Sequence, residues 1–162
     1  MKNLKVSLML FVLVLSPMSL FAAVPWTGAP GTSTVDDAST SLYANDNGGL
    51  TFNSTGTGTI VSRLNVTDTT ATGYPNWTTM EIRGYDPGVN SSLVVKLVRI
   101  SSGGTMSTIA TCATSDSAMV QTQTCSILNN VDFNSGYIYN VVIELGRTST
   151  SVSPFIHGVR LY

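Results

Sequence analysis

Trp77, Glu81, Arg83 and Tyr85 share one parity in the stretch "WTTMEIRGYD", while Met80 and Ile82 occupy the other. On an extended strand, alternate side chains leave on the same side, so the four project together and Met80 and Ile82 point away. Aromatic rings with interleaved hydrogen-bonding groups suit sugar recognition, because rings stack on apolar sugar faces while polar groups reach hydroxyls. The competing assignment makes Trp77 a core residue near a strand end and leaves Glu81 and Arg83 as a surface pair.

A second chemistry needs two carboxylates. Glu81 and Glu144 are the only glutamates. A glycoside hydrolase would use such a pair as acid and nucleophile, provided the two strands were neighbours in one sheet. Otherwise both are solvent-facing charges, and no long loops mark the walls of a cleft. His157 is the only histidine, and in "FIHGVRLY" it shares parity with Phe155, Val159 and Leu161. That pattern reads as a neutral imidazole partly buried among apolar neighbours rather than a catalytic base. No Gly-x-Ser-x-Gly, His-Glu-x-x-His or phosphate-cradling glycine motif occurs, so the sequence points away from an enzyme. No cofactor is expected beyond a structural calcium. Its candidate ligands are Asp36, Asp37 and Asp46, set in oxygen-rich runs, although the same residues are what turns require.

The two cysteines, Cys112 and Cys125, bracket "ATSDSAMVQTQT". In an oxidising compartment such a pair forms a disulfide, and two thiolates with one distant histidine make a poor zinc site. A simple hairpin turning at Ser115-Asp116-Ser117 would put each cysteine opposite the wrong partner, beyond the roughly 7 Å that a bridge can span between Cα atoms. The disulfide therefore requires an irregular loop or a shifted register, centred nearer Ala118. It staples two consecutive strands around a polar loop.

The oxidising compartment follows from the N-terminus. Lys2 and Lys5 precede the apolar run "VSLMLFVLVL", Pro17 interrupts it, and small residues at Ala22 and Ala23 close it, as in a secretory signal. The run is shorter than the roughly 20 residues of a membrane span. Residues 1–23 are assigned to the signal, and no stable membrane insertion is expected after cleavage. Losing Lys2 and Lys5 takes the formal charge from −1 to −3. A weakly acidic chain lacks the basic footprint of a nucleic-acid binder. The Met-Lys-Asn-Leu-Lys start has a bacterial look, and the protein is expected to be secreted or periplasmic. The Asn-x-Ser/Thr triplets at Asn53, Asn65, Asn76 and Asn90 are then silent.

Strands must position these residues. Only 10% of the 162 residues are charged, against roughly 25% in an ordinary domain, and Ser and Thr supply the polar surface instead. Those residues fit a pleated sheet better than a helix. Residues 24–40 lack any period and read as an extended arm. Residues 41–162 read as one domain of short strands, with a hairpin at Asn47-Gly48, a turn at Asp86-Pro87-Gly88, and an apolar stripe at Tyr137, Tyr139, Val141, Ile143 and Leu145. Short strands at this spacing predict a two-sheet antiparallel β-sandwich, jelly-roll-like with Greek-key connections; an immunoglobulin-like sandwich is the alternative. The function that fits is a secreted, non-catalytic module binding carbohydrate or another extracellular surface ligand. The alternative is a structural subunit or decoration of an extracellular assembly, whose arm or edge strand adds to a neighbour's sheet.

Overall fold

Alternation of apolar and hydroxylated residues folds this chain into strands, each with one face to the core and one to solvent. The computed structural model describes residues 24–70 and 72–162; the expected signal segment, 1–23, lies outside them. Among the described residues the strands are β1 (Trp26–Gly28), β2 (Thr34–Val35), β3 (Tyr43–Asp46), β4 (Gly49–Phe52), β5 (Gly58–Val66), β6 (Thr79–Tyr85), β7 (Ser91–Ile100), β8 (Met106–Ala113), β9 (Gln121–Ser126), β10 (Ile138–Arg147) and β11 (Phe155–Leu161).

They form two antiparallel sheets, and the protein is an all-β sandwich. The front sheet runs β3-β4-β11-β6-β9, with β1 also pairing β11; the back sheet runs β2-β5-β10-β7-β8. From β4 onward the chain passes back and forth between the sheets, and only β7 and β8 follow each other within one. The jelly-roll expectation stands.

Period-two patterning decides which side chains are inside. On β10 the odd positions Tyr139, Val141, Ile143 and Leu145 are all buried, as the stripe predicted. They meet Ile60 and Leu64 from β5, Leu93, Val95 and Leu97 from β7, and Met80, Ile82, Ile156, Val159 and Leu161 from the front sheet. The Asn47-Gly48 hairpin forms between Asp46 and Gly49, with φ of 48° and 83° at its two central residues, as a tight two-residue turn requires.

Residues 24–40, expected as an extended arm, are two short strands and two 3-10 turns, Pro30–Thr32 and Asp37–Ser39, docked along both sheets. Trp26 and Thr27 pair with Leu161 and Arg160 in front, while Thr34 and Val35 pair with Arg63 and Ser62 behind. Asp36 forms an ion pair with Arg63.

Two buried polar side chains tie loops to strand ends. Arg147 is 2% exposed and has no carboxylate partner among the described residues; its guanidinium donates to the carbonyls of Gly56, Val152 and Asn53 and lies 4.5 Å over the Phe52 ring. Removal from water pushes its pKa below the usual guanidinium range. Asp86 accepts from the Ser91 hydroxyl at 2.5 Å and the Thr114 hydroxyl at 2.9 Å, and its carbonyl accepts from Ser117 N–H. One residue thereby fastens the turn after β6 to the loop between the cysteines.

Cys112 and Cys125 are bonded, with Cα atoms 5.6 Å apart. The hairpin geometry considered for them does not occur. β8 is an edge of the back sheet and β9 an edge of the front sheet, so the bridge links the two sheets where consecutive strands diverge. Strands that are neighbours in sequence can be joined across a sandwich edge by a span far too short for the separated strands that an immunoglobulin domain bridges.

Candidate functional site

The outward face of the front sheet gathers the chemistry. β6 alternates strictly from Thr79 on: Met80, Ile82 and Gly84 are buried, and Thr79, Glu81, Arg83 and Tyr85 face out. On one side β9 adds Ser126, Thr124 and Thr122 opposite Thr79, Glu81 and Arg83. On the other side β11 supplies Phe155 opposite Tyr85, Gly158 opposite Arg83, and Arg160 opposite Glu81.

Three rings cluster at one end of this ladder. Tyr85 and Phe155 are 5.2 Å apart between centroids, and Phe155 and His157 are 4.4 Å apart. His157 is exposed, which corrects its expected burial. A β-bulge between Ile156 and Gly158 inserts one extra residue into β11, so Phe155 and His157 both face out while Val159 and Leu161 face in. Gly49 on β4 makes room for the imidazole, since a Cβ there would lie 2.7 Å from His157 Nδ1. At the other end the Arg160 guanidinium lies 4.9 Å over the Tyr162 ring, and the Tyr162 hydroxyl is 3.4 Å from Glu81 Oε2. From the Tyr85 row to the Thr79 row, where Tyr162 pairs, is six residues of β6, about 20 Å of strand.

Of the four residues singled out by parity, Glu81, Arg83 and Tyr85 share this face and Trp77 does not. Trp77 is 1% exposed; its Nε1 donates to the Val24 carbonyl at 2.9 Å and its ring meets Phe133 edge-on. The alternation fails there because Asn76 adopts φ of 55° and the amides of Thr78 and Thr79 both donate to the Tyr162 carbonyl, so regular pairing begins only at Thr79. Phe155, His157, Arg160 and Tyr162 are the face residues that the sequence pattern missed. Gly158 within an apolar strand was the available sign of a bulge.

Glu81 and Glu144 lie on opposite outer faces of the sandwich, on β6 in front and β10 behind. The core separates them, and they cannot act as a carboxylate pair. Glu144 instead accepts from Lys96 Nζ at 2.6 Å. Asp36 engages Arg63, Asp37 opens a short 3-10 turn, and Asp46 ends β3 and accepts from Asn47 Nδ2. Among the described residues no three His, Cys, Asp or Glu side chains sit together as a metal site.

Two concave places lie elsewhere. One of about 330 Å³ is at the end of β5, β7 and β10 beside Arg147, and one of about 410 Å³ is at the β8–β9 edge beside Cys125. Neither carries more than one charged side chain, whereas the aromatic face carries several. The face is therefore the better candidate on chemistry. Among the described residues no helix is long and apolar enough to cross a membrane.

By sequence, no family model and no curated protein matches the chain. Solved structures resemble it in fold. The insecticidal crystal protein Cry2Aa aligns at 10% identity and TM-score 0.49, over 85% of this chain and 21% of its own. The family 11 carbohydrate-binding module of the cellulosomal cellulase Lic26A-Cel5E of Clostridium thermocellum aligns at 10% identity and TM-score 0.45, over 85% of each chain. A xylan-binding domain of family 22 aligns at 14% identity and TM-score 0.41, over 90% of this chain and 89% of its own. This chain thus spans about a fifth of the insecticidal protein and most of the length of the two modules. The likeness concerns architecture, so the chemistry of the face rests on its own residues.

Proposed function

We propose that the protein is a secreted, non-catalytic module that binds a polysaccharide or a similar extracellular surface ligand on the outward face of its front sheet. The observation that carries this reading is the Tyr85, Phe155 and His157 ring cluster, set in the same sheet face as Glu81, Arg83, Arg160 and the hydroxyls of Thr122 and Thr124. Rings supply stacking area at low entropic cost, and the neighbouring polar groups supply directional hydrogen bonds. Two aromatic platforms at the ends of one ladder, about 20 Å apart, suit an extended chain laid along β6 and β11 better than a single small molecule.

Affinity electrophoresis against a panel of soluble polysaccharides tests the reading. The wild type is retarded by at least one, and the Tyr85→Ala/Phe155→Ala double variant loses at least about tenfold in affinity, roughly 1.4 kcal/mol, while keeping its circular dichroism. Retardation by none, or undiminished retardation of the double variant, sinks it.

A second reading, a subunit of an extracellular assembly, draws on the back sheet. There Ile138, Ile100 and Met106 form one outward row across β10, β7 and β8, and Ile138 and Met106 are 61% and 59% exposed. Rings or fibres in electron micrographs of the mature protein would favour it; a monodisperse monomer would remove it.

A further inference from the structure

We infer that the ligand of the front face is an acidic glycan, a chain carrying carboxylates of the uronate kind, and that Arg83 and Arg160 receive the carboxylate. The inference rests on the binding reading above and names the ligand class for it.

The protein's cations are treated unequally. Arg63 is paired with Asp36, and Lys96 with Glu144. Arg147 is buried against backbone carbonyls, and Arg99 donates to Ser107 while lying over the Tyr137 ring. Arg83 and Arg160 are both exposed, and among the described residues neither has a carboxylate within ion-pair distance. The Arg83 side chain makes no hydrogen bond, ion pair or ring contact with any described residue, although Glu81 is two positions away on the same face.

The register makes this arrangement specific. Arg83 stands opposite Gly158 and Arg160 opposite Glu81, so the two arginines are diagonal neighbours, with Cα atoms about 7–8 Å apart. Like charges at that spacing repel. Between them Gly158 contributes no side chain, and a Cβ built there would meet nothing within 4 Å. The two arginines thus flank an open position on the sheet, with the aromatic cluster on one side and, on the other, Tyr162, over whose ring the Arg160 guanidinium rests. The one acidic side chain of this ladder, Glu81, has its Oε2 beside the Tyr162 hydroxyl. A planar carboxylate over Gly158 would relieve the repulsion and accept paired N–H donors from either guanidinium. A neutral sugar would leave the cations unanswered. The chain as a whole is acidic, so this local excess of free positive charge does not follow from composition.

The test compares polygalacturonate, its carboxyl-reduced neutral counterpart and sulfated dextran in affinity electrophoresis of the mature protein. The expected result is strong retardation by polygalacturonate, weakening as salt rises from about 0.05 M to about 0.5 M. The reduced polymer and sulfated dextran retard it much less. Arg83→Gln and Arg160→Gln each lower polygalacturonate affinity by about tenfold or more, with an unchanged melting temperature showing that the fold is intact. Equal retention by the reduced polymer, or retention indifferent to both substitutions, overturns the acidic assignment and leaves the polysaccharide reading standing. Equal retention by sulfated dextran replaces the carboxylate with a general polyanion preference and also overturns it. Retention by no polysaccharide at all, across the wider panel, overturns both readings.

Discussion

The two outward faces of the sandwich are built from the same strand geometry and differ in how their charges and rings are used. Behind, Lys96 and Glu144 neutralise each other at 2.6 Å, Arg63 is held by Asp36, and the remaining surface is largely valine, isoleucine and threonine. In front, the rings lie together at one end and the guanidiniums of Arg83 and Arg160 have no carboxylate. Satisfied pairs make a surface with no charge left to answer; unpaired donors beside stacked rings make one with electrostatic free energy still to gain. The difference lies in side-chain pairing and not in fold, so it distinguishes the faces where architecture alone cannot.

Three experiments probe that contrast. The largest effect belongs to the residue beneath the front face. Trp77→Ala removes a fully buried ring and its Nε1 donor, and lowers the unfolding free energy by about 3–5 kcal/mol in urea titration. Arg83→Ala on the surface above changes it by no more than about 0.5 kcal/mol. If the two cost the same, the division between core and face at the start of β6 is wrong. Next comes the bridge joining the sheets. Replacing Cys112 and Cys125 with alanine removes about 3 kcal/mol in the chain-entropy model, and β9 is the strand bordering β6 on the candidate face, so amide exchange speeds up in β9 before the centre of β10. Uniform exchange across both sheets would show that the disulfide does not anchor that edge. The smallest effect is on the back face and has the opposite sign. Asn140 is 8% exposed, with Oδ1 buried and unpaired among the described residues. Asn140→Val removes the orphaned acceptor, adds a β-branched residue to a central strand, and raises stability by about 1 kcal/mol. A lower melting temperature would show that the amide has a partner.

Where residues alternate without interruption, the sequence was a reliable guide. The β10 stripe, the Asn47-Gly48 hairpin and the outward set Glu81, Arg83 and Tyr85 all follow from a period of two and from the tolerance of Asn and Gly for positive φ. Parity counting fails wherever one residue is gained or displaced. The bulge at His157 reverses the facing of half of β11, and the irregular pairing of Thr78 and Thr79 puts Trp77 inside. The cysteine pairing was legible from compartment and count, but its role across the sheets was not. Nothing local to "CATSDSAMVQTQTC" says that its flanking strands separate into different sheets, because that depends on β8 pairing with β7 and β9 with β6. Half of the candidate site was therefore hidden for one reason: it lies on β11, whose neighbours come from distant parts of the chain.

That placement also makes the face depend on distant pairings. β11 slots between β6 on one side and β4 and β1 on the other, pairing residues as far apart as Trp26 and Leu161. Without β11, β6 and β4 each keep an open edge, and the face lacks Phe155, His157 and Arg160. Such long-range closure is slow, and open edges invite the wrong strand in the meantime. The surface proposed to hold a ligand is thus also the seam that joins the most distant parts of the chain.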